Sequence, residues 1–179
     1  MGKQRGYFLQ RGEHLGERMY RAFEEVFAMG YEECILIGTD VPELRSDDLN
    51  RAFEVLQTRD VVFGKTYDGG YYLVGMKKAR REVFGLDRYG HGAVLKETIK
   101  ALSQAGITVG YTKMLWDMDT PSDLKQYRKR MRVKKELKQT ETGRYAAGIT
   151  PVSIIIPIYN EEKKNCNVSG AVKGTAGKM

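Results

Sequence analysis

Apolar residues at Leu15, Met19, Ala22, Phe23, Val26 and Phe27 recur every three to four positions, which predicts an amphipathic helix that Gly30 stops. Cys34-Ile35-Leu36-Ile37 is apolar throughout, partly β-branched, and ends at Gly38, as a strand covered on both faces does. Ser46 predicts the cap of a second helix, in which Leu49, Ala52, Phe53 and Leu56 share a face. Residues 60–64 and 71–75 read as two more strands, with Asp68-Gly69-Gly70 making a glycine-rich approach between them. A third helix is predicted from Ala93 to Gln104, with Gly106 at its end, and a further strand from Ile107 to Leu115. Thr120-Pro121-Ser122-Asp123 is a helix start: Thr caps, Pro fits the first position, and Asp suits the positive end of the dipole. Alternating strands and helices predict an α/β fold with a mainly parallel sheet covered on both faces.

Beyond Thr120 the pattern changes. Lys125 to Lys138 holds eight basic residues and one acid, Glu136, which matches the net charge of +7 of the whole chain. Leu124, Tyr127 and Met131 give this stretch one apolar stripe, so it is expected to continue the last helix, dock that stripe on the sheet and show charge to solvent or a neighbouring domain. A nucleic-acid partner is not expected. Gln139 to Gly148 is polar and breaker-rich, a linker, and Val152 to Glu162 is a β-branched strand running into a polar turn. Lys163 to Met179 has almost no large apolar residue and is expected to be disordered. The predicted organisation is a first domain over 1–138, a linker over 139–150 and the start of a second domain over 151–179.

With 41% hydrophobic and 30% charged residues the chain falls in the soluble globular class. Its longest apolar stretch, Val152 to Ile156 with Ser153 inside it, falls far short of the roughly 20 residues that span a bilayer. No secretory or myristoylation pattern follows Met1, so a cytoplasmic location is expected. The two cysteines, Cys34 and Cys166, lack metal-ligand spacing, and the two histidines, His14 and His91, form no HExxH. Neither G-x-S-x-G nor a phosphate-binding or dinucleotide fingerprint occurs. His91 reads as a plain loop residue or as one that approaches an acceptor, and Met114, Trp116 and Met118 as core and rim packing.

Open α/β sheets place ligands beyond the carboxyl ends of their strands. Asp40 follows the strand ending at Gly38, Asp68 precedes the paired glycines, and Asp117 and Asp119 follow the strand ending at Leu115. Carboxylates gathered at one edge repel one another unless a cation offsets them, and a hard divalent ion with phosphate oxygens as its other ligands fits such a set. The other reading is that each Asp merely caps a turn or a helix, and Asp123 is taken as a cap.

Four motifs occur in order: Gln10-x-Gly12-x-x-Leu15-Gly16-Glu17-Arg18-Met19; Leu36-Ile37-Gly38-Thr39-Asp40-x-Pro42-x-Leu44; Asp68-Gly69-Gly70-Tyr71-Tyr72-Leu73-x-Gly75; and Asp117-x-Asp119-Thr120-Pro121-x-Asp123-Leu124. Together they resemble a bacterial family of nucleotide-diphospho-sugar-transferase-like proteins, related to molybdenum-cofactor guanylyltransferase and 2-phospholactate guanylyltransferase. The resemblance implies a glycosyltransferase-A type three-layer sandwich and a metal-dependent transferase using a sugar nucleotide or nucleoside triphosphate. Glycosyl transfer is the leading expectation, nucleotidyl transfer the alternative, and a non-catalytic binding domain a third reading.

By the resemblance, Asp40 and Asp119 are metal acids for Mg2+ or Mn2+, with Asp117 as a further contributor. Asp40 and Asp68 are also the candidate catalytic groups, and Asp68 lines the acceptor side with Gly69 and Gly70. Gln10, Gly12, Arg18 and Thr39 face the nucleotide, although Gly12 and Gly16 read equally as a tight entry into a helix. The expected partners are a nucleotide or sugar nucleotide and a small acceptor. Relatives begin with a strand and a phosphate-facing loop that have no counterpart before Gln10. The N-terminal strands are therefore expected to be missing, leaving the chain inactive alone and prone to self-association through an exposed sheet edge. Val152 to Glu162 resembles the opening strand of a family 2 glycosyltransferase, which implies a fusion of two transferase domains.

Overall fold

A computed structural model describes residues 8–148. The predicted second domain start at Val152 and its tail lie outside the described residues. The elements run α1 (Leu15–Ala28), β1 (Cys34–Ile37), α2 (Ser46–Leu56), β2 (Val61–Lys65), β3 (Tyr71–Met76), α3 (Val94–Gln104), β4 (Val109–Tyr111), α4 (Pro121–Val133) and α5 (Glu141–Ala146), with 3-10 turns at Arg81–Val83 and Lys135–Gln139. No helix among the described residues is long and apolar enough to cross a membrane.

The sheet order is β1-β3-β2-β4, and here the structure corrects the sequence reading. The sheet is mixed and mostly antiparallel: β3 runs against both β1 and β2, and only β2 and β4 pair in parallel. The reason is the length of one connection. Residues 66–70 are all that join β2 to β3, whereas a parallel crossover needs a dozen or more. Asp68-Gly69-Gly70 is therefore a hairpin turn. Gly69 has φ +95°, and a side chain there would also run into the Gly92 carbonyl. Strands β1, β2 and β4 still share one direction, so their carboxyl ends lie on one edge and the hairpin turn lies on that edge with them.

Helices cover both faces. Phe23 of α1 and Leu95 and Leu102 of α3 pack with Phe63, Val74 and Met76 on one side, while Ala52 and Leu56 of α2 pack with Val62, Tyr72 and Leu73 on the other. Fully buried rings such as Phe23 and Phe63 each stabilise the fold by about 1.5–3 kcal/mol. Tyr72 and Leu73 are consecutive yet face the same side because the pairing skips Tyr72, passing from Gly64↔Leu73 to Lys65↔Tyr71. The bulged Tyr72 hydroxyl reaches Thr112 Oγ1 at 3.0 Å and the Lys113 carbonyl at 3.1 Å, tying the middle of the sheet to the segment after β4.

Two further expectations change. Ser46 opens α2, but the cap residue is Arg45, whose N–H donates to Asp48 Oδ2 at 2.9 Å. The basic stretch does not continue as one helix: α4 ends at Val133, and Tyr127 and Met131 pack against Leu137 and Ala146 rather than on the sheet. The segment read as a linker carries α5, which Thr140 caps by accepting the Gly143 N–H at 2.9 Å. The Tyr127 hydroxyl reaches Thr140 Oγ1 at 3.0 Å, so the polar segment folds back on the helix before it.

Candidate functional site

Each candidate acid is placed by the end of a strand. The Gly38 N–H donates to the Tyr72 carbonyl at 2.8 Å and extends the β1–β3 ladder by one residue. With no side chain on Gly38, the Asp40 carboxylate folds back over it, its Oδ1 lying 2.6 Å from where a Cβ would stand. In the hairpin turn, Asp68 Oδ1 accepts from the Thr66 hydroxyl and from the Gly70 N–H at 2.9 Å. The predicted strand 107–115 is a formal strand only over Val109–Tyr111, yet the chain follows β2 further: Thr112 N–H donates to the Phe63 carbonyl and Leu115 N–H to that of Lys65, each at 3.0 Å. Asp117 and Asp119 leave this track just before α4.

The four carboxylates lie in one electrostatic field. Burial raises the Asp117 carboxyl to about 6, and the charges of Asp68, Asp119 and Asp40 add to the shift. Asp119 is also raised, first by burial and then by Asp40 and Asp68. Among the described residues, none of the four makes an ion pair with a Lys, Arg or His. Asp123 behaves oppositely. It accepts from the Thr120 hydroxyl at 2.7 Å and from its N–H at 2.8 Å, which hold it below the usual carboxylate range, so it is the first-turn helix acid that the sequence predicted, completing the cap that Thr120 makes.

Among the described residues, no three His, Cys, Asp or Glu side chains are gathered so that they could hold a metal ion together. Magnesium does not require three, since one or two carboxylates with phosphate and water complete its shell. An all-oxygen set in which burial first, and the neighbouring acids after it, lift two of the members is chemically suited to such an ion.

Other predicted positions fall elsewhere. Arg18 Nε donates to the Gly12 carbonyl at 3.0 Å, so this pair braces the entry to α1. Gly16 packs against the Phe84 carbonyl and Tyr89, a helix-entry role. Gln10 and Thr39 are exposed. His91 accepts the Ala93 N–H at Nδ1, 3.3 Å, and reaches the Arg88 carbonyl through Nε2 at 3.2 Å, bracing the loop that packs on Gly69.

Sequence reasoning missed two features. Glu43, in the Asp40 loop, is buried and neutralised by Arg130 at 2.8 Å and Lys134 at 3.0 Å, so two of the basic residues read as a solvated face bind an internal acid. Arg130 also lies 5.1 Å from the Trp116 ring centroid, and Trp116 stacks on Tyr67. One signal was present: an aromatic residue stands immediately before an acid in both loops, Tyr67-Asp68 and Trp116-Asp117.

Comparison with known proteins bears on the family and the fold. No curated protein matches the sequence. A crystal structure of a protein from Desulfovibrio desulfuricans G20, provisionally assigned as a nucleotide-diphospho-sugar transferase, is similar over 78% of this chain with a TM-score of 0.68 and 29% identity. The chain spans 62% of that protein's length. The model of a family described as an uncharacterized protein conserved in bacteria, DUF2064, matches residues 1–91, through β1, α2, β2 and β3, and the chain belongs to that family.

Proposed function

We propose that this domain is a metal-dependent transferase that uses a sugar nucleotide and transfers its glycosyl group to a small acceptor. The observation that carries the reading is the set of four carboxylates on one sheet edge, without a cationic partner among the described residues and with Asp117 and Asp119 raised. Similarity to the Desulfovibrio desulfuricans protein supports the choice of donor. A nucleotide donor also fits the cytoplasmic location expected from the sequence.

In this reading Asp40 and Asp119 would hold Mg2+ or Mn2+, with phosphate and water completing its shell and Asp117 contributing its nearby charge. When bound with the donor phosphates, the ion would offset charge developing on the departing diphosphate. Asp68 has Oδ1 committed to Thr66 and Gly70, which fixes the carboxylate and leaves Oδ2 to accept the proton of the acceptor hydroxyl. Gly69 and Gly70 keep side chains out of that side of the edge.

Thermal-shift screening of nucleotides and sugar nucleotides, with and without millimolar Mg2+ or Mn2+, tests the binding step. Stabilisation that requires both metal and nucleotide supports the reading; a response to neither removes its basis. Product analysis separates the chemistry. Release of a nucleoside diphosphate identifies glycosyl transfer, whereas pyrophosphate from a triphosphate identifies nucleotidyl transfer, the activity suggested by resemblance to the guanylyltransferases.

A further inference from the structure

Tyr67 and Trp116 stack face to face, their ring centroids 4.0 Å apart and their planes 13° from parallel. Each immediately precedes an acid of the cluster, Asp68 or Asp117, so the pair borders the proposed site. Because Tyr67 covers one face of Trp116, the Arg130 guanidinium, 5.1 Å from the Trp116 centroid, lies against the other. Arg130 is itself fixed by its 2.8 Å bond to buried Glu43. The result is a layered stack anchored in the body of the protein and ending in Tyr67, which is 53% exposed. Tyr67 is therefore held flat against Trp116 with about half of its surface open.

We propose that the outer face of Tyr67, backed by Trp116, is a platform for a ring-shaped, hydroxyl-bearing acceptor: a neutral or cationic sugar. Aromatic faces carry negative charge density and attract polarised C–H bonds and cations. The neighbouring Asp68 and Asp117 disfavour an anionic ring and provide acceptors for hydroxyl or ammonium groups. The acceptor role rests on the transferase reading; ring binding is measured independently of it.

Trp116 is the only tryptophan in the chain, so its fluorescence reports on the platform directly. The experiment titrates the protein, in metal-free buffer, with methyl glucoside, glucosamine, glucose 6-phosphate and a nucleoside monophosphate. Methyl glucoside or glucosamine is expected to change the emission saturably, with glucose 6-phosphate much weaker. Tyr67→Ala is expected to weaken the response about tenfold, and Tyr67→Phe to retain it. No saturable response to either uncharged or cationic sugar overturns the proposal, as does unchanged affinity in Tyr67→Ala. A response to the nucleoside monophosphate alone assigns the platform to a nucleobase and also overturns it. Should Tyr67→Ala melt early, the wild-type titrations and Tyr67→Phe still decide. Nucleotide binding with Mg2+, measured by calorimetry on the same protein, separates the two ideas: sugar binding without it sinks the transferase reading and leaves the platform, and the reverse sinks the platform alone.

Discussion

Asp60 and Asp119 stand at opposite edges of one sheet and are treated in opposite ways. Asp60, just before β2, accepts from the Thr108 hydroxyl at 2.6 Å and its N–H at 2.9 Å and pairs with Arg80 at 2.8 Å; Thr108 first and Arg80 after it hold its carboxyl below the ordinary range. Asp119, beyond β4, is raised by burial and by neighbouring acids. The same contrast recurs within one loop, where Glu43 has two cations and Asp40, three residues earlier, has none among the described residues. Asp60 and Glu43, which serve the fold, have their charge balanced by cations. At the carboxyl edge the acids have no such partner among the described residues, an arrangement the proposed cation site would use.

Substitution at the two edges should therefore separate binding from stability. Asp119→Asn or Asp40→Asn is expected to weaken metal-assisted nucleotide binding by about 100-fold, read by calorimetry, while leaving urea stability unchanged or slightly higher. A large loss of stability would instead make these acids caps.

Next in size is Arg130→Met, which strips one cation from buried Glu43 and leaves Lys134 alone to neutralise it. The expected loss is about 2 kcal/mol in urea unfolding. Because Arg130 also backs Trp116, the tryptophan emission of the native state should shift as well. Unchanged stability would show that the pair is not buried in solution. Asp60→Ala should cost about 1–2 kcal/mol, since it unpairs Thr108 and Arg80 without touching the other edge. Its nucleotide binding should match the unsubstituted protein.

How much of this could be read beforehand depended on sequence distance. Strand ends followed by acids are local signals, and so is the Thr120-Pro121-Ser122-Asp123 cap, which the structure reproduces. The direction of β3 was not legible from its residues, because a strand covered on both faces looks apolar whichever way it runs. Only the shortness of residues 66–70 carried that information. The Glu43–Arg130 and Tyr67–Trp116 contacts join distant segments and leave no period in the chain. α5 was hidden for a similar reason: its residues are polar, and Thr140 and Tyr127 hold it through contacts that composition does not reveal.

The smallest effect is the most diagnostic, because its sign changes the comparison from geometry to charge. Asp117 has its carboxyl raised from 3.8 to about 6 in the folded protein. Between those values the folded state keeps a proton that the unfolded chain has lost. The stability contributed by Asp117 is therefore fully present below about 3.8 and is lost as pH rises through about 6. Asp117→Asn carries no such dependence. It should match the unsubstituted protein near pH 3.5 and exceed it at pH 7–8 by about 1 kcal/mol, a figure reduced for the partial exposure of the group. Urea unfolding at both pH values measures this. Metal with nucleotide should favour the ionised carboxylate and so narrow the gap at pH 7–8, with binding weakening as pH falls through about 6. A gain in stability equal at both pH values would point to packing rather than repulsion, and Asp117 would then belong with Asp60 and Asp123 among the acids that serve the fold.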